Sequence, residues 1–408
     1  MTDKTAVVIG AGAAGLAAGR RLADAGIRTQ VIEARSRPGG RAWTADIAGQ
    51  ALDMGCGWLH SADRNPLVAV AEAQDFDIVR GRAAWGRQTG DRGFTPAEQA
   101  AFHDAFDGWE RRMEQAAGRG PDRSADSLLE QGSRWNPLID ALSTYINGVE
   151  LAGLSVEDYG NYADSGVNWR VREGYGRAIA GLGTCLDVTL DCPARCIDHR
   201  GPRLRIETAK GDIAADAVIV TVPTTLLLGD GLRFLPDLPA KRDAAAVLPL
   251  GLANKVLLEL DRPDDLPADG HLYGAIDRVA TGSYMLRPMG RPVVEGYFGG
   301  MLAAELETAG EAAAAAFAID ELAGLLGSEI RRRLSPMAVT AWRADPFARG
   351  SYSYAKPGHV AARPVLAAAV DDRLFFAGEA CSVHDFSTAH GAYRTGLAAA
   401  DQVIAAFT

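Results

Sequence analysis

The pattern of apolar and polar positions is clearest at the start of the chain. TAVVIG, beginning at residue 5, is apolar and β-branched and therefore predicts a strand. LAAGRRLADAG follows with helical spacing and ends at Gly26, and RTQVIEA predicts a second strand. Because strand, helix and strand follow one another directly, the pattern predicts a βαβ unit and a parallel sheet.

Other patterned segments lie further along the chain. Residues 95–147 and 303–334 have the spacing of amphipathic helices, and residues 194–223 predict successive strands. GLANKVLLEL, residues 251–260, predicts a buried strand but places Lys255 at its centre. Because a lysine is rarely buried without a partner, two interpretations stay open at this point. The segment is either an edge strand whose lysine faces water or a strand that places the lysine for catalysis.

The turn after the first strand, GAGAAG, fits the spacing G-x-G-x-x-G. Gly10 permits the tight turn, Gly12 lets the backbone approach a pyrophosphate, and Gly15 lets the helix pack closely on the strand. The helix N-terminus offers N–H groups and a positive dipole end to phosphates. Glu33, eighteen residues past Gly15, is placed to accept hydrogen bonds from ribose hydroxyls. The unit predicts a dinucleotide site and leaves FAD and NAD open.

The next stretch, EARSRPGGRAWT, carries Gly39, Gly40 and Arg41, whose guanidinium suits phosphate. Together, VVIGAGAAGLAAGRRL and VIEARSRPGGR resemble the N-terminal FAD signature of the flavin-dependent amine oxidase superfamily, which includes monoamine oxidases, polyamine oxidases and flavin-dependent histone lysine demethylases. Later segments resemble the same superfamily in the same order: LDMGCGWLHSADRNPL, NWRVREGYGRAIAGL, AWRADPFARGSYSYAKPG and RLFFAGEACSVHDFSTAHGAYRTGLAAADQVIAAF. The motifs are most similar to those of the polyamine oxidase–demethylase branch.

This resemblance implies an α/β fold with two interleaved domains. The first is a Rossmann-like FAD-binding domain, a parallel sheet with helices and a returning β-element, expected over residues 1–65, 176–235 and 350–408. The second is an α+β substrate-binding domain, expected over residues 66–175 and 236–349.

The resemblance also implies roles for individual residues. Lys255 and Tyr352 would be catalytic: the lysine would reach flavin N5 through a water, and the tyrosine would form one wall of an aromatic cage. The helix predicted from Gly391 would present its N-terminus to the flavin pyrimidine. The implied substrate-binding residues are His60, Tyr352, Thr388 and Trp342. The implied cofactor-binding residues are Gly10, Gly12, Gly15, Glu33, Arg35, Gly40, Arg41, Ala194, Gly378, Glu379, Thr388 and Ala389.

Departures from the family pattern refine these expectations. Ser351 occupies the position at which monoamine oxidases attach FAD to a cysteine. Because a hydroxyl cannot form the thioether, we expect non-covalent FAD. Thr388 aligns with the second aromatic wall, so we expect a one-sided cage. The demethylases' long helical insertion and extra N-terminal domain do not fit within 408 residues, which disfavours histone demethylation.

The implied activity is that of an FAD-dependent amine oxidase. The substrate carbon beside nitrogen would give a hydride to flavin N5, the imine would hydrolyse, and O2 would reoxidise the flavin to give H2O2. Two alternatives remain: a dehydrogenase or desaturase of the same fold acting on a non-amine, and a non-catalytic FAD-bound partner protein. The sequence does not specify the amine. Carboxylates at a tunnel mouth would suggest polyamines, and the candidates are Glu150, Asp164, Glu173 and Asp385.

Composition narrows the setting in which the protein acts. The net charge of −10 argues against a general nucleic-acid binder. Five cysteines leave at least one unpaired, which suits a reducing compartment, and the spacing of Cys192 and Cys196 lacks the second ligand pair of a metal site. No apolar run reaches the ~18 residues of a membrane span. We expect a cytoplasmic protein with no metal, membrane or nucleic-acid partner, and leave a homodimer open.

Overall fold

The computed structural model describes residues 4–229 and 231–408, with strands and helices numbered along the chain. The first sheet contains β1 (Thr5–Ile9), β2 (Arg28–Ile32), β7 (Val188–Thr189), β11 (Ala217–Val220) and β20 (Leu374–Phe376). Its order is β20-β11-β1-β2-β7, and every neighbouring pair is parallel. The continuous apolar run of β1 suits a central strand that is buried on both faces.

Helices cover this parallel sheet and complete the predicted βαβ unit. They are α1 (Ala13–Asp24), α2 (Pro66–Glu72), α6 (Tyr175–Gly181) and α11 (Ala389–Phe407). The close approach of α1 and α11 depends on Gly396, where a Cβ would lie 2.1 Å from the carbonyl oxygen of Ala14. The predicted strand–helix–strand order is confirmed, and α1 ends at Asp24, two residues before Gly26.

A second sheet is the returning β-element that the sequence predicted. It contains β8 (Ala194–Asp198), β9 (Leu204–Thr208), β10 (Gly211–Ala215) and β12 (Arg233–Leu235), in the order β10-β9-β8-β12. The register shifts between Ala194 and Cys196, so β8 bends at its first residue. Helices α7 (Pro239–Val247) and α10 (Ala362–Ala367) pack together beside this sheet.

The third sheet is antiparallel and answers the question raised by Lys255. It contains β14 (Ala253–Leu260), β15 (Gly270–Tyr273), β16 (Ser283–Leu286), β17 (Val293–Gly299) and β18 (Leu334–Val339), in the order β15-β16-β17-β14-β18. Strand β14 pairs with β17 on one side and β18 on the other. Lys255 therefore lies on an inner strand, and the edge-strand interpretation is wrong.

The remaining helices and strand pairs complete the second half of the fold. Helices α8 (Gly300–Ala309) and α9 (Glu311–Leu326) pack on the antiparallel sheet, while α3 (Pro96–Ala116), α4 (Asn136–Asn147) and α5 (Val156–Asn161) form a separate helical cluster. The two-stranded pairs are β3 (Thr44–Ile47) with β4 (Gln50–Asp53), β5 (Ile78–Val79) with β6 (Arg170–Val171), and β13 (Leu250–Gly251) with β19 (Tyr352–Ser353). The helices expected in residues 95–147 and 303–334 are confirmed.

The core beneath the parallel sheet bears on the predicted domain boundaries. Leu67 and Ala71 of α2 and Tyr175 of α6 belong to the same buried cluster as Val8 and Leu16. The predicted boundaries assign these three residues to the substrate-binding domain, but the packing favours the FAD-binding side. The division of the rest of the chain stays a prediction. Within the described residues, no helix is both long and apolar enough to cross a membrane.

Candidate active site

A cavity of about 1110 Å³ lies between the carboxyl ends of the parallel strands and the antiparallel sheet. Ligands of open α/β sheets bind at these strand ends, because the glycine-rich turns and helix N-termini converge there. Nearly all of the predicted site residues line this one cavity, and Gly15 is the exception. The lining set is Gly10, Gly12, Glu33, Arg35, Gly40, Arg41, His60, Ala194, Lys255, Trp342, Tyr352, Gly378, Glu379, Thr388 and Ala389.

The glycine turn between β1 and α1 shows two different reasons for glycine. At Gly15 a Cβ would lie 1.8 Å from the carbonyl oxygen of Gly10, so this position packs the helix against the turn. At Gly12 the nearest atoms to a Cβ would be 3.9 Å and 4.0 Å away, on Gly39 and Gly40. The protein itself has room for a side chain at Gly12, and that room opens into the cavity. An opening of this kind beside a helix N-terminus fits the pyrophosphate of a dinucleotide.

Glu33 lies at the end of β2 and organises the neighbouring loops. Its carboxylate accepts hydrogen bonds from the backbone amides of Ala11 at 2.8 Å and Arg35 at 2.9 Å. The Arg35 guanidinium in turn donates to Asp345 at 2.8 Å, which ties this loop to the segment after β18. A carboxylate has more acceptor sites than these two amides use, so Glu33 retains the capacity to bind ribose hydroxyls.

Arg41, which is partly exposed, and the buried Glu379 form an ion pair in the cavity wall, with Nη1 2.9 Å from Oε1. Arg41 also donates to the carbonyl oxygen of Ser351 at 2.7 Å, and Glu379 accepts from the hydroxyl of Ser353 at 2.6 Å. Burial acts to raise the pKa of Glu379, but the charge of Arg41 and the Ser353 hydrogen bond outweigh it, so the pKa is lowered. The pair joins the glycine loop after β2 to the loop after β20.

The C-terminal flavin motif adopts a different local structure from the one expected. Helix α11 begins at Ala389 rather than Gly391, and Thr388 is its N-cap, accepting a hydrogen bond from the Gly391 amide at 2.9 Å. The Thr388 hydroxyl also donates to the carbonyl oxygen of Asp385 at 2.6 Å. Its position in the cavity lining suits the predicted contacts, but both hydrogen-bonding functions of its hydroxyl are satisfied within the turn. Phe386, two residues earlier, places an aromatic ring in the same lining.

One face of the antiparallel sheet supplies the opposite wall of the cavity. In the register of the sheet, Lys255 lies opposite Tyr297, Glu295 opposite Met285, and Met285 opposite His271. All five residues line the cavity. The alternate residues of the same strands point to the other side and form an apolar core with α9, namely Val256, Leu258, Leu272, Tyr284, Leu286, Val294 and Phe298. The two-residue period of β-structure thus separates a polar face from an apolar one.

Lys255 is almost fully buried, with 5% of its surface exposed. Its Nζ donates to the backbone carbonyl oxygen of Asp53 at 2.7 Å and lies 3.1 Å from Oε1 of Glu295. The sequence did not single out Glu295, which is one of several charged residues whose importance depends on strand register. The resemblance assigned a water as the lysine's partner, whereas the structure adds a carboxylate and a carbonyl group.

Tyr352 stands in the cavity wall beside two other tyrosines. Its hydroxyl donates to the carbonyl oxygen of Tyr145 at 2.6 Å and lies 3.2 Å from the hydroxyl of Tyr297. Burial and the neighbouring Tyr297 raise the pKa of Tyr352 well above its ordinary value, so its hydroxyl is neutral. The preceding Ser351 hydroxyl donates to the carbonyl oxygen of Ala253 and accepts from the amide of the same residue, each at 2.9 Å. These bonds hold the hydroxyl end of Tyr352 and the residue that precedes it.

His60 lies in an aromatic part of the wall. Its Nδ1 is 2.7 Å from Oδ1 of Asn168, and its ring centroid is 6.0 Å from that of Trp85. Trp85 packs edge-to-face against Trp58 at 4.5 Å. Burial lowers the pKa of His60, so its imidazole is neutral near pH 7. Neither tryptophan was predicted as a site residue: Trp58 lies in the same motif as His60 but was not singled out, and Trp85 lies outside the quoted motifs.

Trp342 serves both the wall and the core. Its indole Nε1 donates to the carbonyl oxygen of Met54 at 3.3 Å, and the ring is buried with the apolar side of the antiparallel sheet. It also lines the cavity. Trp342 thus lies both in the cavity wall and in the apolar core, and its role in substrate binding stays a prediction.

Of the four carboxylates proposed for a tunnel mouth, one lines the cavity and three do not. Asp164 lines the cavity, whereas Glu150, Glu173 and Asp385 are not part of the lining. Asp385 instead forms ion pairs with Arg64 and Arg394. Further carboxylates come from one face of α3 and from β17: Glu110, Glu114 and Glu295. The helical spacing of Glu110 and Glu114, four residues apart, was a signal that could have found the first two.

The glycine cradle, the acidic residue after β2 and the long cavity at the strand ends are the features of a dinucleotide-binding site. The model of the family described as flavin containing amine oxidoreductase matches residues 13–80 and 82–404. The chain belongs to this family, and it is an FAD-dependent oxidoreductase that acts on amines.

Similar proteins of known name support the predicted placement in the polyamine oxidase–demethylase branch. The chain is 29% identical to polyamine oxidase 2 of Arabidopsis thaliana, over 97% of this chain and 87% of that protein. It is 28% identical to lysine-specific histone demethylase 1 homolog 2 of the same plant, over 99% of this chain but 59% of that protein. Among solved structures, wild-type putrescine oxidase bound to putrescine superposes with a TM-score of 0.81 and 19% identity, over 98% of this chain and 99% of that one. This last likeness confirms the fold.

Proposed function

We propose that this amine oxidase holds FAD non-covalently and oxidises an amine that carries a second cationic group, with O2 as acceptor and H2O2 as product. The observation that carries the proposal is the set of carboxylates on the cavity wall, above all Glu110 and Glu114 on one face of α3. The sequence-based criterion for a polyamine was the presence of carboxylates at a tunnel mouth, and Asp164 is the one of its four candidates that lines the cavity. We also propose a cytoplasmic location, supported by five cysteines that are all free thiols.

Glu110 is the best placed of these carboxylates to bind a distant ammonium group. It is half-buried and accepts a hydrogen bond from the hydroxyl of Tyr159 at 3.1 Å. Burial is the largest cause that raises its pKa; the Tyr159 hydrogen bond opposes this, and nearby Asp107 and Glu114 add to it. A carboxylate that is destabilised by burial and by like charges gains strongly from a cationic ligand. Charge complementarity therefore favours a diamine or polyamine over a simple monoamine.

The aromatic wall prepares the reacting amine. Bound FAD supplies the two-electron oxidant, and the residues that would hold it are those of the glycine cradle, Glu33 and the N-terminus of α11. Oxidation proceeds from the neutral amine, because the nitrogen lone pair must be free. The rings of Tyr352, Tyr297 and Trp58 exclude water from the cavity wall, and removal from water disfavours the charged form of an amine. These side chains would thus promote deprotonation of the reacting nitrogen while the carboxylates on α3 bind the distant one.

The test compares a diamine and a monoamine of the same chain length in a peroxide-coupled assay. Glu110→Gln should raise KM for the diamine by about tenfold, the effect of losing ~1.4 kcal/mol of binding, and change KM for the monoamine much less. Glu305→Gln, the same substitution at an exposed position of α8 outside the cavity lining, is the matched control and should leave both values unchanged. Equal effects of Glu110→Gln on the two substrates, or a wild-type preference for the monoamine, would contradict the proposed substrate class.

FAD attachment needs its own measurement. The hydroxyl of Ser351 cannot form the thioether found in monoamine oxidases. Acid precipitation should therefore release all of the yellow colour into the supernatant as intact FAD. Colour that stays with the pellet would show that another residue forms a covalent bond.

A further inference from the structure

Glu295 lies beside Lys255, although no sequence pattern indicated that these two residues meet. Lys255 on β14 is opposite Tyr297 on β17, and Leu257 is opposite Glu295, so Lys255 and Glu295 are diagonal neighbours on one face of the sheet. Their charged atoms are 3.1 Å apart, and both side chains are largely buried. The contact arises from the pairing of inner strands and is therefore a fixed feature of the wall.

A second cation lies on the other side of Glu295. Arg170, 6% exposed, approaches the Glu295 carboxylate to 3.5 Å, and its guanidinium stacks over the ring of Trp58 at 4.3 Å. Its Nε has no hydrogen-bond partner among the described residues. Burial acts to raise the pKa of Glu295, but Lys255 and Arg170 outweigh it and the pKa is lowered. The carboxylate is therefore ionised between two cations.

We propose that Glu295 is the positioning residue for Lys255. The Asp53 carbonyl accepts an N–H of the ammonium group at 2.7 Å, and the Glu295 carboxylate forms an ion pair with it at 3.1 Å. These two contacts hold Nζ in one position, and Lys255 lines the cavity. Glu295 also offsets the cost of burying the ammonium beside Arg170. With two cations and one carboxylate, the cluster leaves a net positive charge beside the reaction site.

This inference rests on the proposed use of O2 as acceptor. Reduction of O2 to H2O2 takes up two electrons and two protons, and the reduced cofactor supplies the electrons. The first electron converts O2 to superoxide, which is an anion. A fixed positive group stabilises such a developing negative charge most strongly where water is scarce. A lysine held in one orientation provides this stabilisation without reorganising during the reaction.

The kinetic test measures reoxidation alone. The flavin-loaded protein is reduced photochemically under anaerobic conditions, without amine, and is mixed with oxygenated buffer in a stopped-flow instrument. We expect Lys255→Met and Glu295→Gln each to slow reoxidation by about tenfold, the step worth ~1.4 kcal/mol of barrier. The double variant should be no slower than Lys255→Met, because Glu295 acts through the lysine. Glu259→Gln, the same substitution at an exposed position of β14, is the matched control and should react like wild type.

Thermal unfolding of the same flavin-loaded variants provides a readout that does not involve reaction. Glu295→Gln leaves two buried cations without their carboxylate and should lower Tm. In the double variant, Tm should fall by less than the sum of the decreases in the two single variants. The reason is that the double variant no longer buries the Lys255 ammonium without a carboxylate beside it. Conservative Glu295→Asp keeps the charge and should recover part of the reoxidation rate.

Two results would overturn the inference: wild-type reoxidation in Glu295→Gln, or rate losses that multiply in the double variant. Since no amine is present, either result is distinguishable from a failure of the proposed substrate class. An effect of Glu295→Gln on Tm without any effect on reoxidation would assign Glu295 a structural role only, which also contradicts the inference.

Discussion

The two sheets that face each other across the cavity contribute in different ways. The parallel sheet supplies backbone: the turn at Gly10 and Gly12 and the N-termini of α1 and α11. The antiparallel sheet supplies side chains from one face, among them Lys255, Tyr297 and Glu295. A dinucleotide offers phosphates that backbone amides bind well, whereas an amine and O2 require placed charge and aromatic walls. The parallel sheet therefore presents backbone groups to the dinucleotide, and the antiparallel sheet presents side chains to the amine and O2.

This difference also predicts how substitutions in each of the two walls affect binding and catalysis. Backbone sites depend on the absence of side chains, so a single methyl group in the wrong place blocks them. Side-chain sites depend on register, so each residue can be replaced at a cost set by its own contacts. The variants below test this distinction from the largest expected effect to the smallest.

Gly12→Val should abolish FAD retention. The new side chain would project into the opening of the cradle, where the pyrophosphate approaches the backbone. Flavin content is measured from the visible absorbance of the purified protein. The control is Gly81→Val, an exposed loop position where a Cβ would meet nothing within 4 Å. Normal flavin occupancy in Gly12→Val would show that this turn is not the binding site.

Tyr352 belongs to the wall that side chains form, and Tyr352→Ala should slow amine-dependent flavin reduction by about 100-fold. Loss of the ring would misplace the substrate, and misplacement by about 1 Å has an effect of this size. Anaerobic stopped-flow reduction measures it, and flavin content should stay normal. Tyr352→Phe keeps the ring but loses the hydrogen bonds to Tyr145 and Tyr297, and it should fall between wild type and the alanine variant. Unchanged kinetics in Tyr352→Ala would remove this residue from the site.

Acidification should destabilise the antiparallel wall through His271. Burial lowers the pKa of His271 from its ordinary value of 6.5 to about 4, so the unfolded chain binds the proton more readily. Stability is therefore present above pH 6.5 and is lost as the pH falls toward 4, by about 2 kcal/mol at pH 5 for one such group. Denaturant unfolding at pH 7 and pH 5 measures the loss.

The variant His271→Gln should reduce this pH dependence, whatever its effect on stability at pH 7. A smaller pH dependence will remain, because burial also lowers the pKa of His390 to about 4. Replacing the exposed His359 by glutamine is the control and should leave the pH dependence as in wild type. An unchanged slope in His271→Gln would show that this imidazole is not protonated differently on unfolding.

Glu33→Gln should have the smallest effect, raising the Kd for FAD by about tenfold, or ~1.4 kcal/mol. The amide oxygen of glutamine can still accept from the Ala11 amide, but the charge and one strong acceptor are lost. Titration of the deflavinated protein with FAD, followed by flavin fluorescence, gives the affinity. Retention as weak as in Gly12→Val would contradict the ranking of backbone above side chain in this half of the site.

The site residues that the sequence predicted belong mainly to local motifs. Gly10, Gly12 and Glu33 occur within one βαβ unit, where short-range spacing dictates which groups meet. Lys255 and Tyr352 required the family resemblance, because neither lies in a pattern that specifies its surroundings. Glu295, Arg170 and Trp58 were not among the predicted site residues, although Arg170 and Trp58 lie within segments that resemble the family. They come from three separate segments and meet only through strand pairing and the packing of β6 beside the sheet.

The order and spacing of residues along the chain therefore determine the structure of the cofactor cradle, because the cradle consists of backbone groups within a few residues of one another. The partner of Lys255 could be decided only in three dimensions. Whether Lys255 faces water or a carboxylate depends on β14 having neighbours on both sides and on the register that brings Glu295 diagonally across from it. A shift of one residue in that pairing would point Glu295 into the apolar core, because successive side chains of a strand alternate between its two faces.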